Sequence, residues 1–403
     1  MLAQQRLVGW RFDEVKAQQL ESEIRLEAEA IQRELQQRHP FYPHSEFVPK
    51  RDNSKTGYRK GCPCTRLVDF NSTSRDHIAW YLEQEGVKLK EKTETGKWQI
   101  DESSLKKITN PYAAKFARLL ELSKHLGMLS EGQNAWLKLV KKDRIHHWCV
   151  VSTNTHRCAH RNPNLAQVPS DLRFRDLFIA SPGNVLVGAD LQAIELRMLG
   201  HYLHRYDGGR YCEILLNDDI HQVNADKIGI SRRDVKTVTY AFLYGAGDEK
   251  VGMSIDPTLT AAKAKKLGKQ VKGDFISAID GLGRLLEDVK EAASMRGGIK
   301  SIDGRFIKVD SPHKALNYLL QSSAGVVAKR WVVLSNSNKY VLEGYATQVG
   351  FIHDEVVFDV NKLASGQLPL LIENSAITAG EFYKLNVPIA ATATSGHSWA
   401  DIH

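Results

Sequence analysis

Ala17, Leu20, Ile24, Ala28, Ile31 and Leu35 recur at three- and four-residue steps, with Gln, Glu and Arg between them. This spacing predicts one long amphipathic helix, with Asp13 placed to cap it. A packed face and a solvated face account for the whole pattern. It breaks at His39-Pro40 and Pro43, and residues 43–66 are basic and polar with Pro, Gly, Asn and Ser, as expected of a loop or flexible insertion. Helical periodicity resumes from about 72 to 140, opened by Ser74-Arg75-Asp76-His77-Ile78 and again by Pro111-Tyr112-Ala113-Ala114. The region up to about residue 145 is therefore expected to be all helical. Residues 176–190 carry two apolar runs about a Pro182-Gly183 turn, which predicts two strands, and a helix is expected from Ile194 to Leu203. Residues 206–300 are helix-rich, with turns at Gly208-Gly209 and Gly297-Gly298. Two hairpins follow: residues 301–309 around Asp303-Gly304, and residues 351–358, where apolar arms flank a charged tip. The chain thus leaves a sheet-containing domain at about 205 and returns to it at about 300.

The 403 residues are enough for several subdomains and a large core. No run of apolar residues is long enough to span a membrane, and the first thirty positions lack an apolar signal core. Five cysteines (Cys62, Cys64, Cys149, Cys158, Cys212) read as reduced thiols, so a cytoplasmic protein is expected, in the host cell if the source is viral. The formal charge of +8 permits a polyanionic partner without demanding one. Its distribution is more telling. Lys50, Arg51, Lys55, Arg59, Lys60 and Arg66 face only Glu46 and Asp52 in one zone, and residues 141–175 form a second basic zone with four histidines.

Asp190 ends an apolar run and Asp354 sits at the tip of an apolar hairpin. A carboxylate beside such runs needs a cation or hydrogen-bonding partner. Two on neighbouring strand ends can hold a pair of divalent ions, although either one alone reads equally as a turn or cap residue. Arg232, Lys236, Tyr240 and Tyr244 fall at successive four-residue steps and so share one helical stripe, with Gly245 and Gly247 beyond it as C-cap candidates. Two cations suit phosphates and two aromatics suit a sugar and base; an ordinary amphipathic helix would show the same spacing. Gly281-Leu282-Gly283 lacks the third glycine and preceding strand of a dinucleotide loop. Cys62-Pro63-Cys64 lacks the second ligand pair of a structural zinc site and reads as a plain loop.

Together these segments resemble the family A DNA polymerases, the DNA polymerase I family, and especially the replicative polymerases of short-tailed phages. The resemblance rests on four blocks in family order: Pro163-Asn164-Leu165-Ala166-Gln167-Val168-Pro169; Asp190-Leu191-Gln192-Ala193-Ile194-Glu195-Leu196-Arg197; Arg232 to Gly245, continued by Ala246-Gly247-Asp248-Glu249-Lys250; and His353-Asp354-Glu355. Weaker similarity extends to Gly9-Trp10-Arg11-Phe12-Asp13, residues 71–78 and Trp399-Ala400-Asp401-Ile402-His403. Ala193 stands where family members often have Gln, a position at which the phage group varies.

The resemblance implies an α+β right-hand polymerase fold with an antiparallel palm sheet. It places a thumb at 1–145 with the basic insertion 43–66, palm at 146–205 and 300–403, and fingers at 206–299. It implies template-directed addition of dNTPs to a primer 3′-hydroxyl, with Asp190 and Asp354 holding two Mg²⁺ ions, for which Mn²⁺ can substitute, and Glu355 as a secondary acid. Arg232, Lys236 and His221 are expected at the triphosphate, Lys236 also as proton donor to pyrophosphate, and Tyr240 on the incoming sugar. Glu195 with Tyr244 would block a ribose 2′-hydroxyl. His353 would meet the primer's last phosphate, and Arg157, Gln321 and Asn317 the minor groove at the primer end, where donors test pairing without reading sequence. Asn164 and Gln167 would also lie along primer–template. A 3′–5′ exonuclease domain is not expected in this polypeptide. Because the thumb insertion is short, no thioredoxin-type clamp is expected, and the protein should act as a monomer on primer–template DNA and dNTPs. The alternatives are a reverse transcriptase or RNA-synthesising enzyme of related fold, and an inactive primer–template-binding protein.

Overall fold

The computed structural model describes residues 1–93, 95–151 and 153–403. Backbone packing divides it into two units, Val15–Lys138 and a larger one made of Met1–Glu14 with Leu139–His403. The chain opens in the larger unit with α1 (Leu2–Val8) and β1 (Trp10–Arg11).

In the smaller unit, α2 (Glu14–Arg38) buries Ala17, Leu20, Ile24, Ala28 and Leu35, the stripe its periodicity predicts. Residues 43–66 are not simply a loop. β2 (Phe41–Phe47) and β3 (Cys64–Asp69) pair antiparallel as a ribbon, so the region before residue 145 is not all helical. Both strands are largely solvent-exposed on both faces, which is why no hydrophobic alternation betrays them. Cys64 begins β3 and donates to the Cys62 carbonyl at 3.5 Å, in keeping with a plain loop. α3 (Arg75–Gln84) and α4 (Pro111–Leu126) follow. Asn110 caps α4 by accepting from the Tyr112 and Ala113 amides, with Pro111 at the first position. Tyr81 of α3 packs edge-on against Phe116 of α4 at 5.1 Å.

The larger unit holds two short pairings, β1 with β4 (Arg144–Ile145) and β5 (Trp148–Val150) with β6 (Ala159–Arg161). Then comes β7 (Asn184–Leu191). Only this one of the two strands expected over 176–190 forms. Leu177, Phe178 and Ala180 are fully buried, but the stretch makes only isolated bridges, Phe12 to Phe178 and Ile179 to Ser398. Its apolar run is explained by an aromatic cluster: Phe178 and Trp399 lie 5.2 and 5.0 Å from the Trp10 ring.

A long helical excursion follows: α5 (Ile194–Asp207), α6 (Arg210–Asn217), α7 (Ile220–Ile228), α8 (Arg232–Leu243), α9 (Asp248–Ile255), α10 (Ala261–Ala278) and α11 (Leu282–Arg296). Gly281, whose motif resembled a dinucleotide loop, simply caps α11 in a left-handed conformation. The chain returns through the hairpin β8 (Gly298–Lys300) and β9 (Phe306–Lys308), then the buried α12 (Ala315–Ser335), β10 (Ala346–Ile352), β11 (Glu355–Asn361), α13 (Leu368–Phe382) and β12 (Ala391–Gly396). The main sheet is antiparallel, in the order β10-β11-β7-β12. α12 and α13 pack together, with the Trp331 indole donating to the Ile372 carbonyl at 2.9 Å.

α9 and α10 cross so closely that a Cβ on Gly268 would lie 1.8 Å from the Asp248 carbonyl oxygen. Gly273, on the same helix, faces open space. Gly268→Ala is therefore expected to lose about 3 kcal/mol, as backbone oxygen cannot yield. Gly273→Ala should gain about 0.5–1 kcal/mol from helix propensity. Urea unfolding of both variants checks the pair, and equal effects would contradict it.

Candidate active site

Strand register brings the two aspartates together. Glu355 of β11 pairs with Asp190 of β7, and the Leu191 amide donates to the Asp354 carbonyl at 3.0 Å. Asp354 is the second of two residues that turn β10 into β11; the first, His353, has φ 58°, a value glycine usually supplies at such turns. Asp190 reaches solvent on one side while the sheet packs its other, and Asp354 is half-buried. Neither carboxylate forms an ion pair or accepts a side-chain hydrogen bond among the described residues. Burial, and then the charge of Asp190, pushes the Asp354 carboxyl up to about 7. Burial, and then Glu355, raises Asp190 to about 6. Two crowded carboxylates, one half-buried and one exposed, without a cationic partner among the described residues are a donor set that a hard divalent cation relieves.

Glu355 itself is committed to the protein. It accepts from the Trp399 indole at 2.7 Å and pairs with His403 at 3.1 Å, so it braces the floor below Asp190. Sequence reasoning gave Glu355 only a secondary acidic role and missed this bracing, because Trp399 and His403 carry no spacing signal that points to it.

α8 carries the stripe whose two tyrosines feel the charge of Asp354. Ser231 caps the helix by accepting from the Asp234 amide at 3.1 Å, and Val235, Val238, Thr239 and Leu243 bury its other side. Arg232 and Lys236 are exposed, Tyr240 is half-buried, and Tyr244 stands just beyond the last turn, 50% exposed. Asp219 caps α7 through the His221 and Gln222 amides and, with its other oxygen, takes the Arg232 Nε–H at 2.6 Å. This anchor was also missed; its only trace in the sequence is a cap residue ahead of a helix. His221 is buried, 6.1 Å ring-to-ring from Tyr240, and its Nδ1 has no partner among the described residues. Burial lowers its pKa, and the charges of Arg232 and Lys236 act in the same direction.

Glu195, in the first turn of α5, is buried and ion-paired to Arg157; Tyr244 donates to the same carboxylate oxygen at 3.4 Å. The Tyr240 and Tyr244 hydroxyls are both raised, by burial first and then by Glu195, and Asp354 adds to each. Asp190, Asp354, Glu195, Tyr240, Tyr244 and Arg157 therefore occupy one electrostatic neighbourhood. His353 is at its rim, its pKa lowered by burial and by Arg157, with its ring edge-to-face to the buried His160 at 5.8 Å.

The remaining predicted residues are less concentrated. Gln321 is half-buried on α12, whereas the Asn317 amide is buried and donates to the Leu243 carbonyl, tying α12 to the end of α8. Asn164 caps the short 3₁₀ turn Leu165–Gln167 with its side chain, and Gln167 is exposed.

Comparison with known proteins gives this arrangement a family. Residues 63–401 match the model for DNA polymerase family A. The DNA-directed DNA polymerase of Escherichia phage T7 is 29% identical over 391 residues, covering 86% of this chain and 55% of the phage protein. DNA polymerase I of Helicobacter pylori is 25% identical over 355 residues, covering 83% of this chain and 38% of its own length. Among solved structures, the POL domain of Pol1 from M. smegmatis, in complex with DNA primer-template and dNTP, superposes with a TM-score of 0.78 at 21% identity, covering all of this chain and 69% of that one. The fold is thus the α+β polymerase fold, and the chain belongs to DNA polymerase family A. It spans about half the length of the phage polymerases it matches. Enzymes of this family generally use divalent metals. No helix is long and apolar enough to cross a membrane among the described residues.

The raised carboxyls set a pH signature for the metal-free protein. A carboxyl whose folded pKa exceeds its unfolded value favours folding below about pH 4 and loses that contribution as pH rises through 6 to 7. Asp354→Asn should therefore raise Tm by several degrees at pH 8 in chelator and change it little at pH 4. Equal shifts at both pH values would show that the carboxyl is not raised.

Proposed function

We propose that this chain carries out template-directed DNA synthesis, adding dNTPs to a primer 3′-hydroxyl. What supports the reading is the strand register that sets Asp354 beside Asp190, in the same neighbourhood as Tyr240 and Tyr244 of the stripe that also carries Arg232 and Lys236. In this reading Val15–Lys138 is the thumb, the sheet with α12 and α13 is the palm, and the excursion from α6 to α11 is the fingers. Asp190 and Asp354 would hold two Mg²⁺ ions, or Mn²⁺ in their place. When bound, these ions supply charge that activates the primer oxygen and offsets charge on the phosphates.

The protein's own groups do the positioning. Arg232, preset by Asp219, and Lys236 meet the triphosphate, and Lys236 gives a proton to departing pyrophosphate. The His221 Nδ1, which has no partner among the described residues, offers a further phosphate contact. Tyr240 lies along the incoming sugar, and Glu195, held by Tyr244, fills the space that a ribose 2′-hydroxyl needs. His353 at the hairpin tip meets the last primer phosphate. Arg157 and Gln321 face the minor groove of the terminal pair; Asn164 and Gln167 lie along the strands, whereas Asn317 acts through α8. Primer–template DNA and dNTPs are the partners, taken up by a single copy of the chain without a thioredoxin-type clamp.

Glu195 with Tyr244 disfavours the alternative of RNA synthesis. The test is primer extension with dNTPs and rNTPs side by side. The parent protein should prefer dNTPs, and Asp190→Ala should lose on the order of 10³-fold in rate or more while keeping its affinity for primer–template. Preference for rNTPs would favour the alternative, and undiminished extension by Asp190→Ala would refute the assignment.

A further inference from the structure

Arg157 follows a residue in an unusual backbone state. His156 has φ 57°, in the left-handed region that is uncommon outside glycine, even though His reaches it more often than most residues. The His156 amide closes its turn on the Thr153 carbonyl at 3.0 Å, yet a side chain in this region costs of order 1–3 kcal/mol unless surrounding contacts fix it.

Those contacts come from α12. His156 Nδ1 lies 2.7 Å from the Ser322 hydroxyl, and Ser322 lies 2.8 Å from the Ser301 hydroxyl, at the end of the β8–β9 hairpin. Ser322 is fully buried and Ser301 nearly so, so neither hydroxyl has water to satisfy it. Ser322 can donate to the ring while accepting from Ser301, which completes the chain. One turn further along α12, Gly325 gives the backbone room: a Cβ there would lie 3.1 Å from the His156 carbonyl oxygen and 3.4 Å from Arg157 Cα. From the other side, Thr153 donates its hydroxyl to the Arg157 carbonyl at 2.6 Å. The backbone on both sides of Arg157 is thus held by contacts to α12 and Thr153, and the guanidinium pairs with Glu195.

We propose that Ser322, backed by Ser301, is a positioning residue that locks His156 in its left-handed conformation and so aims Arg157 into the site. Ser322 touches neither substrate nor reacting atoms and acts only through His156. The proposal rests on the reading of Arg157 as a contact to the primer's terminal base pair. A guanidinium aimed at the minor groove rewards a correctly paired end and gains little from a mispaired one. Loosening its aim should therefore damage extension selectively at matched ends.

The experiment measures kcat/KM for single-nucleotide extension from matched and mismatched primer ends, with thermal unfolding in parallel. It uses the full chain as parent, Ser322→Ala, Arg157→Ala and the double variant. Ser322→Ala is expected to lower the matched-to-mismatched ratio about tenfold, and Arg157→Ala by more. The double variant should have the ratio of Arg157→Ala alone, because there is nothing left to aim. Adding His156→Gly to Ser322→Ala should restore most of the ratio, since glycine adopts this φ without an anchor. If Ser322→Ala does not fold, Ser301→Ala, which removes only the far end of the chain, takes its place with the same expectation. Equal losses at matched and mismatched ends, or losses that add to those of Arg157→Ala, would overturn the positioning role. A ratio unchanged by Arg157→Ala would instead remove the assignment of Arg157 itself, and this proposal with it.

Discussion

Asp190 and Asp354 repel one another, and the sheet that carries them leaves neither free to move away. Asp190 is fixed by the pairing of β7 with β11 on one side and β12 on the other. Asp354 is fixed by a two-residue turn whose first member already sits at positive φ. Below them Glu355 adds a third carboxylate, and its bonds to Trp399 and His403 keep it from swinging toward solvent. The result is a pair of carboxyls raised above the usual carboxylate range, by burial and by the charge of neighbouring carboxylates. Crowding carboxylates in this way is unfavourable for folding, and the large apolar core around the sheet and α12 offsets it.

The rest of the site follows from what faces that pair. α8 sets Tyr240 and Tyr244 within the field of Asp354 while Val235, Val238 and Leu243 hold its back. Asn317 fastens the end of α8 to α12, and the same helix supplies Ser322 and Gly325 behind the Arg157 turn. α12 is thus the common support for both walls, which explains why it is buried along nearly its whole length. In the proposed reading, substrate groups would meet surfaces already fixed by hydrogen bonds, the preorganisation by which positioning and charge would carry phosphoryl transfer.

Much of this was legible in the chain, by two different routes. Periodicity gave α2 and its buried stripe, the break at Pro40, and the hairpin that ends in His353-Asp354. It could not bring Asp190 to Asp354, since strand pairing across that distance leaves no local trace; the ordered motifs of the family did so. The β2–β3 ribbon was hidden because neither face packs on a core. The run at Leu177, Phe178 and Ile179 misled in the opposite sense, being apolar to fill the cluster around Trp10 and Trp399 rather than to pair as a strand. Supports such as Asp219, Glu355 with Trp399, and Ser322 depend on side chains meeting across elements, which spacing along one element does not encode.

The most direct test of the crowded carboxylate pair is calorimetric titration of Mn²⁺ into the DNA-free protein at pH 6.5, repeated in buffers of different ionisation enthalpy. Carboxyls raised to about 6 and about 7 are partly protonated there, so ion binding must expel protons into the buffer. The expected result is a buffer-dependent heat that disappears in Asp354→Asn. Heat independent of the buffer, or binding left intact in that variant, would contradict the account.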